Sequence, residues 1–387
     1  MNSLHQSPND PEFVQDPYPF YERARALGDV FYWTDYKMVC TVSHAATHAA
    51  LRDKRMGREC LAEFAPDIPP HLASFYAVEA HSMLELEPPR HRRLRGLVLR
   101  AFTSRTIAAL EPDMVELCNG MIDKFPSGPF DLLAAYAQPV PVRIIARLLG
   151  VPEDRSDDLL TWSNAMVAMY QARRTPQIEA EAIAATNAFT GFIRDHIASK
   201  RKTPKDDLIS TLIAANEEGD KLSDDELITT CILLLNAGHE ATVHTMGNGV
   251  KTLLESGLCD ITDTCVEEVI RHDPPLHMFT RYVYEDMDFY GASLKRGDQI
   301  GCLLGAANRD PAAYDDPARF IPDRSGPKNT SFGGGIHFCV GAPLARLELQ
   351  IALQTLFDRC PDLKLAAPPT YGDVYHFHGL ERLMVTR

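Results

Sequence analysis

The chain has 387 residues, 45% of them hydrophobic, enough to bury a large core in one big domain or two ordinary ones. Its formal charge of -14 and pI near 5.4 argue against nucleic acid and anionic membrane as partners, because the summed field repels both. From Met1 to about residue 30, Pro, Asp and Glu interrupt any apolar run, so neither a signal peptide nor a membrane anchor is expected, and a cytoplasmic protein is.

No repeat, low-complexity tract or Gly/Ser-rich linker divides the sequence, which predicts a single domain over residues 1–387, taken as a monomer. A short β-like stretch at 30–42 is followed by a helical pattern at 91–102, and helix dominates the middle. The strongest helical signal opens at Ser223, whose hydroxyl can cap the first turn while Glu226 reaches back. It continues to about residue 254, roughly 45 Å at 1.5 Å per residue. The run from Cys231 to Leu235 is apolar on every side, so this helix is expected to be buried. A further helix ends at Arg271-His272, stopped by Pro274-Pro275. Turn-broken strands are expected over 281–304. Residues 305–335 then run for about thirty positions without periodicity, which inside a compact domain points to function. The last helix starts after Cys339, with Pro343 in its first turn.

Nine cysteines are scattered without a C-x-x-C pair, which disfavours zinc ribbons, iron–sulfur centres and a disulfide framework. Most are expected to be small buried hydrophobes. Cys339 stands apart. It ends a glycine-rich turn, Phe332-Gly333-Gly334-Gly335-Ile336-His337-Phe338, and precedes a helix whose amides and dipole favour a thiolate. Glycine there lets backbone N–H groups approach the sulfur.

The segment from Phe332 to Gly341 resembles the haem-ligand loop of the cytochrome P450 family, F-G-x-G-x-H-x-C-x-G, at every specified position. Other matches follow in the family's order. His91-Arg92-Arg93-Leu94-Arg95 resembles its H-x-x-L-R helix, and Ala237-Gly238-His239-Glu240-Ala241-Thr242 its oxygen-activation helix. Glu268 and Arg271 match E-x-x-R, Asn308-Arg309-Asp310-Pro311 matches N-R-D-P, and Phe320-Ile321-Pro322-Asp323-Arg324 matches F-x-P-x-R.

The resemblance implies a mainly α fold with a small β-rich lobe and haem b (iron protoporphyrin IX) between the long helix and the cysteine loop. Cys339 would ligate the iron. His91, Arg95, Arg281 and His337 would bind the propionates, and Phe332, Gly333, Gly341 and Ala237 would also touch the cofactor. Glu268, Arg271 and Arg324 would form a structural charge triad. Glu240 would deliver protons, and Gly238 would open a groove for dioxygen. The family's usual threonine after the acid is replaced here by Ala241, with Thr242 one place later. Helical geometry turns neighbours about 100° apart, so Thr242 cannot take that place, and its hydroxyl is expected to bond the Gly238 carbonyl.

His239, Glu240 and His244 superficially suggest a zinc protease, but an i, i+5 spacing turns the second histidine about 140° away. The implied activity is monooxygenation: one atom of O2 inserted into a small apolar terpenoid, steroid, polyketide or fatty-acid-like substrate. Leu234, Leu276, His277, Met278, Phe279, Phe377 and His378 would line its pocket. No flavin or nicotinamide motif is visible, so a ferredoxin or flavodoxin with its reductase is expected to supply electrons. Arg90, Arg92, Arg93, Arg95, Arg100 and Arg346 could form its docking patch or an ordinary solvated face. A peroxide-driven peroxygenase and a non-enzymatic haem-thiolate sensor are the alternatives; the acid Glu240 counts against the first and the lack of an output domain against the second.

Overall fold

The computed structural model describes residues 1–170, 174–215 and 222–387. Helices dominate and the strands are short, as the sequence predicts. The chain forms two compact units, one built from Met1–Phe64, Cys118–Ala137 and Val243–Arg387, the other from Ala65–Leu117 and Gln138–Thr242.

The first unit contains every described strand. Its main sheet has the spatial order Ser3–Leu4, Val30–Trp33, Met38–Thr41, Gln299–Leu303, Met278–Val283, Met56–Gly57. The predicted β stretch is a hairpin pairing Val30 with Thr41 and Trp33 with Met38, rich in the β-branched and aromatic side chains that suit a pleated surface. Alternate residues serve opposite faces. Val39 packs with Ile300, Val283 and Leu294, whereas Cys40 packs with Phe13, Phe20, Trp33 and Tyr375, so both faces are covered.

Helix Asp263–His272 is capped by Thr262, whose hydroxyl accepts from the Cys265 amide at 3.1 Å, and it ends before the proline pair. Helix Ala342–Arg359 carries Pro343 in its first turn, where a missing N–H costs nothing. The second unit is helical, including Arg90–Ala101, Pro139–Leu149, Pro176–Lys202 and Leu208–Ala214.

The long helix spans Asp224–Ser256, two residues beyond the sequence expectation. Its start is the predicted capping box: the Glu226 amide donates to Ser223 Oγ at 3.2 Å, and the Ser223 amide donates to the Glu226 carboxylate at 2.9 Å. Cys231, Ile232, Leu234 and Leu235 are buried. The burial then breaks along one face. Ala237 is exposed, and Leu233, Ala241 and His244, spaced four, four and three residues apart, are only half-buried.

Candidate active site

The cysteine loop is a closed turn made by its own backbone. Gly333 N–H donates to the Thr330 carbonyl at 2.8 Å, Phe338 N–H to the Gly335 carbonyl at 3.2 Å, and Cys339 N–H to the Phe332 carbonyl at 3.0 Å. This places Cys339 just ahead of helix Ala342–Arg359. It is half-buried, unlike Cys40, Cys118, Cys231, Cys265, Cys302 and Cys360, which are buried. Burial pushes the thiols of Cys118, Cys265 and Cys302 up to about 11 and that of Cys231 to about 12, as expected of inert core sulfurs. Most cysteines are therefore core fillers; Cys259 is exposed and Cys60 half-buried.

The glycines answer to packing more than to the sulfur. Gly335 has φ +67, and a Cβ there would lie 2.6 Å from the Leu51 carbonyl oxygen, so only glycine fits. At Gly334 a Cβ would meet the Arg52 guanidinium at 2.7 Å, and at Gly333 the Phe279 ring at 3.2 Å. Gly341 alone adjoins the sulfur: its Cβ position lies 3.8 Å from Cys339 Sγ. Phe332 and Phe338 meet edge to face with centroids 6.2 Å apart, and the Arg346 guanidinium sits 4.6 Å from the Phe332 ring centre.

What holds the loop in place lies upstream. Glu268 takes a two-pronged contact from Arg271, at 2.6 and 2.7 Å, and a further one from Arg324 at 3.0 Å, with all three residues buried or nearly so. The structure thus brings the three triad residues together. Arg271 also donates to the carbonyls of Asn308 and Pro317, Arg324 to that of Arg319, and the Ile321 amide donates to Glu268. The aperiodic stretch is tied to this centre by its backbone. Asn308, fully buried, accepts from Thr330 N–H at 2.8 Å and donates to Ser331 Oγ at 2.8 Å, fixing the two residues before Phe332. Sequence reading missed the anchoring roles of Asn308, Thr330, Ser331 and Glu267, the last paired with Arg346; the N-R-D-P match was the one available signal.

Strand Met278–Val283 adjoins the loop through Phe279. Arg281, two residues on, shares that face of the strand; it is buried and donates to the Thr280 carbonyl at 2.8 Å. Leu276 and Phe377 form an isolated bridge, and both are half-buried, as is Phe279. Met278 is buried in the sheet core. His277 and His378 do not present themselves to open space: they are 0% and 1% exposed, with Tyr21 hydrogen-bonded to the first and Tyr371 stacked on the second. Their expected place on an open pocket wall is corrected accordingly, because protein atoms enclose both rings.

In the second unit His91 is buried and Arg95, one turn on, half-buried. Gly238 packs tightly, its Cβ position 3.2 Å from Ile145, so close helix packing already explains this glycine. Thr242 Oγ1 donates to the Gly238 carbonyl at 3.4 Å, the back-bond expected from its position. His239 is buried with Nδ1 2.8 Å from the Leu235 carbonyl, and its Nε2 stands 3.5 Å from the Glu240 carboxylate.

The cytochrome P450 family model matches residues 142–256 and 259–364. The chain belongs to the cytochrome P450 family. It is 37% identical over 374 residues to cytochrome P450 monooxygenase PikC of Streptomyces venezuelae, covering 92% of this chain and 87% of that one. It is 34% identical to the biotin biosynthesis cytochrome P450 of Bacillus subtilis, covering 97% of each. Among solved structures, P450BioI in complex with an acyl carrier protein bearing hexadec-9Z-enoic acid superimposes with a TM-score of 0.91 at 34% identity, over 97% of this chain and 99% of that one. The P450 fold and oxidoreductase class follow, and the family implies haem and O2. Among the described residues no helix is long and apolar enough to cross a membrane.

A haem fits the residues present. The loop offers a half-exposed sulfur, the ligand that suits a P450 iron, beside Phe332 and with no side chain at Gly341 to cover it. Arg281 supplies a cationic group for carboxylates, and His337 a ring N–H donor. Of the arginines grouped by the sequence, Arg93 is paired with Glu226 and Arg346 with Glu267, while Arg90, Arg92 and Arg100 are exposed on the second unit. If these steer an acidic electron donor, Arg92→Glu with Arg100→Glu slows reduction several-fold at low salt, and added salt slows the native protein likewise. Stopped-flow reduction rates insensitive to both changes leave the patch a solvated face.

Proposed function

We propose that this P450 binds haem b through Cys339 and inserts one oxygen atom from O2 into an apolar organic substrate, using electrons from a separate ferredoxin or flavodoxin and its reductase. The setting of Cys339 carries the reading: a half-exposed sulfur ahead of a helix in a loop held by the Glu268 centre. The bound haem supplies oxygen activation, with thiolate electron density favouring O–O cleavage. By their motif positions His91, Arg95, Arg281 and His337 would bind the propionates, and Glu240 would deliver protons.

Leu276, Phe279 and Phe377 offer half-buried apolar surface in the first unit, which supports contact with a hydrophobic skeleton. Polyketide and fatty-acyl substrates are favoured by the names of similar proteins, among them the Bacillus subtilis polyketide biosynthesis cytochrome P450 PksS, 39% identical over 79% of this chain. The free cysteines suit a reducing cytoplasm. A peroxide-driven reading is disfavoured by Glu240.

With Thr242 turned to the Gly238 carbonyl, the space at Ala241 is left for water or a polar group of the substrate to complete a chain to Glu240. The experiment measures product formed per electron pair with a ferredoxin reductase system, for native protein, Ala241→Thr and Thr242→Ala, on substrates bearing and lacking a polar group near the oxidised carbon. Coupling is expected to depend on the substrate's polar group in the native protein and less in Ala241→Thr. Reduction without substrate-dependent product sinks the enzyme reading; coupling indifferent to substitution and polar group leaves Glu240 with water sufficient.

A further inference from the structure

Outside the cysteine loop, the first unit brings together one carboxylate and two imidazoles, Asp273, His277 and His378, all buried, with one donor atom of each within 4.8 Å of the others. His378 Nε2 stands 3.6 Å from Asp273 Oδ1. His277 Nε2 is buried with no hydrogen-bond partner, which costs free energy in a folded core, while His378 turns its Nε2 toward Asp273. The cluster belongs to no P450 motif matched above, and haem ligation does not use it.

We propose that Asp273, His277 and His378 form a second metal site, taking a borderline divalent transition ion of the zinc type. Two nitrogens and one carboxylate oxygen are the donor set such an ion prefers over magnesium or calcium, which take oxygen alone. Ligands about 2.0–2.1 Å from a tetrahedral ion stand roughly 3.4 Å apart, so the 3.6 Å Asp273–His378 pair is near ligand spacing, and the group, within 4.8 Å, draws in by at most about 1.4 Å on binding.

The charge state is right for a cation. Burial lowers both imidazoles below their ordinary value, which leaves them neutral. Burial raises the Asp273 carboxyl, and the Arg309 guanidinium and the Tyr371 hydroxyl act against it to favour the carboxylate. Metal ligands must be deprotonated, and these directions favour that form.

The surroundings hold the donors by their other atoms. Tyr18 donates to Asp273 Oδ1 at 2.9 Å and Tyr371 to Oδ2. With Nε2 of His277 as the ligand atom, Nδ1–H donates to the Tyr21 oxygen at 2.7 Å, and Tyr21 donates onward to Tyr375 at 2.8 Å. Asn248 donates to the backbone carbonyls of Asp273 and His378 at 3.1 and 2.9 Å, which pins two of the three ligand residues to the long helix. Such outer hydrogen bonds orient metal-binding histidines and set their tautomer.

The cluster is closed, so the ion enters during folding, and the test loads it there. Haem-containing protein is expressed in zinc-supplemented and in zinc-depleted medium, and non-haem metal is measured by plasma emission together with anomalous diffraction at the zinc edge. About one zinc per chain is expected from the supplemented culture, with anomalous density between the three side chains. His277→Gln loses it, and Tyr21→Phe, which keeps all three ligands, weakens zinc affinity about 10- to 100-fold against a competing chelator. Native protein without stoichiometric zinc overturns the proposal, as does zinc content unchanged in His277→Gln. Should His277→Gln fail to fold, the anomalous map of the native protein decides alone: density elsewhere, or none, is a negative result. The haem spectrum, read in parallel, reports the Cys339 assignment independently.

Discussion

Replacing Cys339 by alanine is expected to abolish the red-shifted Soret band of the reduced carbon monoxide complex and to bring product formation to background. The side chain is the one half-exposed sulfur in a loop whose backbone is closed by its own hydrogen bonds, so the substitution removes a donor without unfolding its surroundings. No neighbour can substitute, since Cys118, Cys231, Cys265 and Cys302 are buried with thiols pushed far above neutrality. The check is a pair of spectra with haem content measured beside them. Persistence of the band in Cys339→Ala, together with its loss on replacing Cys60 or Cys259, would assign the ligand elsewhere.

The second large effect is on stability. Glu268→Gln is expected to cost about 3–5 kcal/mol, because it strands two buried guanidiniums, Arg271 and Arg324, that one carboxylate now neutralises. The neighbouring residue provides the contrast. Glu267 pairs with Arg346 where the side chains are 43% and 37% exposed, and solvent screening limits Glu267→Gln to less than about 1 kcal/mol. Urea midpoints at unchanged slope measure both. Equal losses from the two substitutions would mean that burial does not set the strength of these pairs.

These two adjacent glutamates also show where the sequence is legible. Short-range rules worked: the capping box at Ser223, the proline stop after His272, the apolar run from Cys231 and the back-bond of Thr242 each depend on residues within a few positions. The cysteine loop could be read because its chemistry is confined to one short segment. The stretch after Asn308 could not be traced, because its backbone groups are satisfied by Arg271, Arg324 and Glu268, up to 53 positions away. His277 and His378 were misplaced for the same reason: 101 residues separate them, and Tyr21, hydrogen-bonded to His277, lies 256 positions before it. The loop glycines likewise owe their identity to Leu51, Arg52 and Phe279, none of which a local reading of the loop includes.

The less buried face of the long helix, at Leu233, Ala237, Ala241 and His244, restricts how this protein can change over evolution. A substitution alters one side chain, but a single-residue insertion or deletion near Gly238 would turn everything beyond it by about 100°. Ala241 and His244 would swing off that face, and Asn248 would release the backbone carbonyls of Asp273 and His378. Length variation among descendants of this sequence is therefore confined to the connections between elements, while the interior of Asp224–Ser256 can diversify only by exchange of residues at constant register.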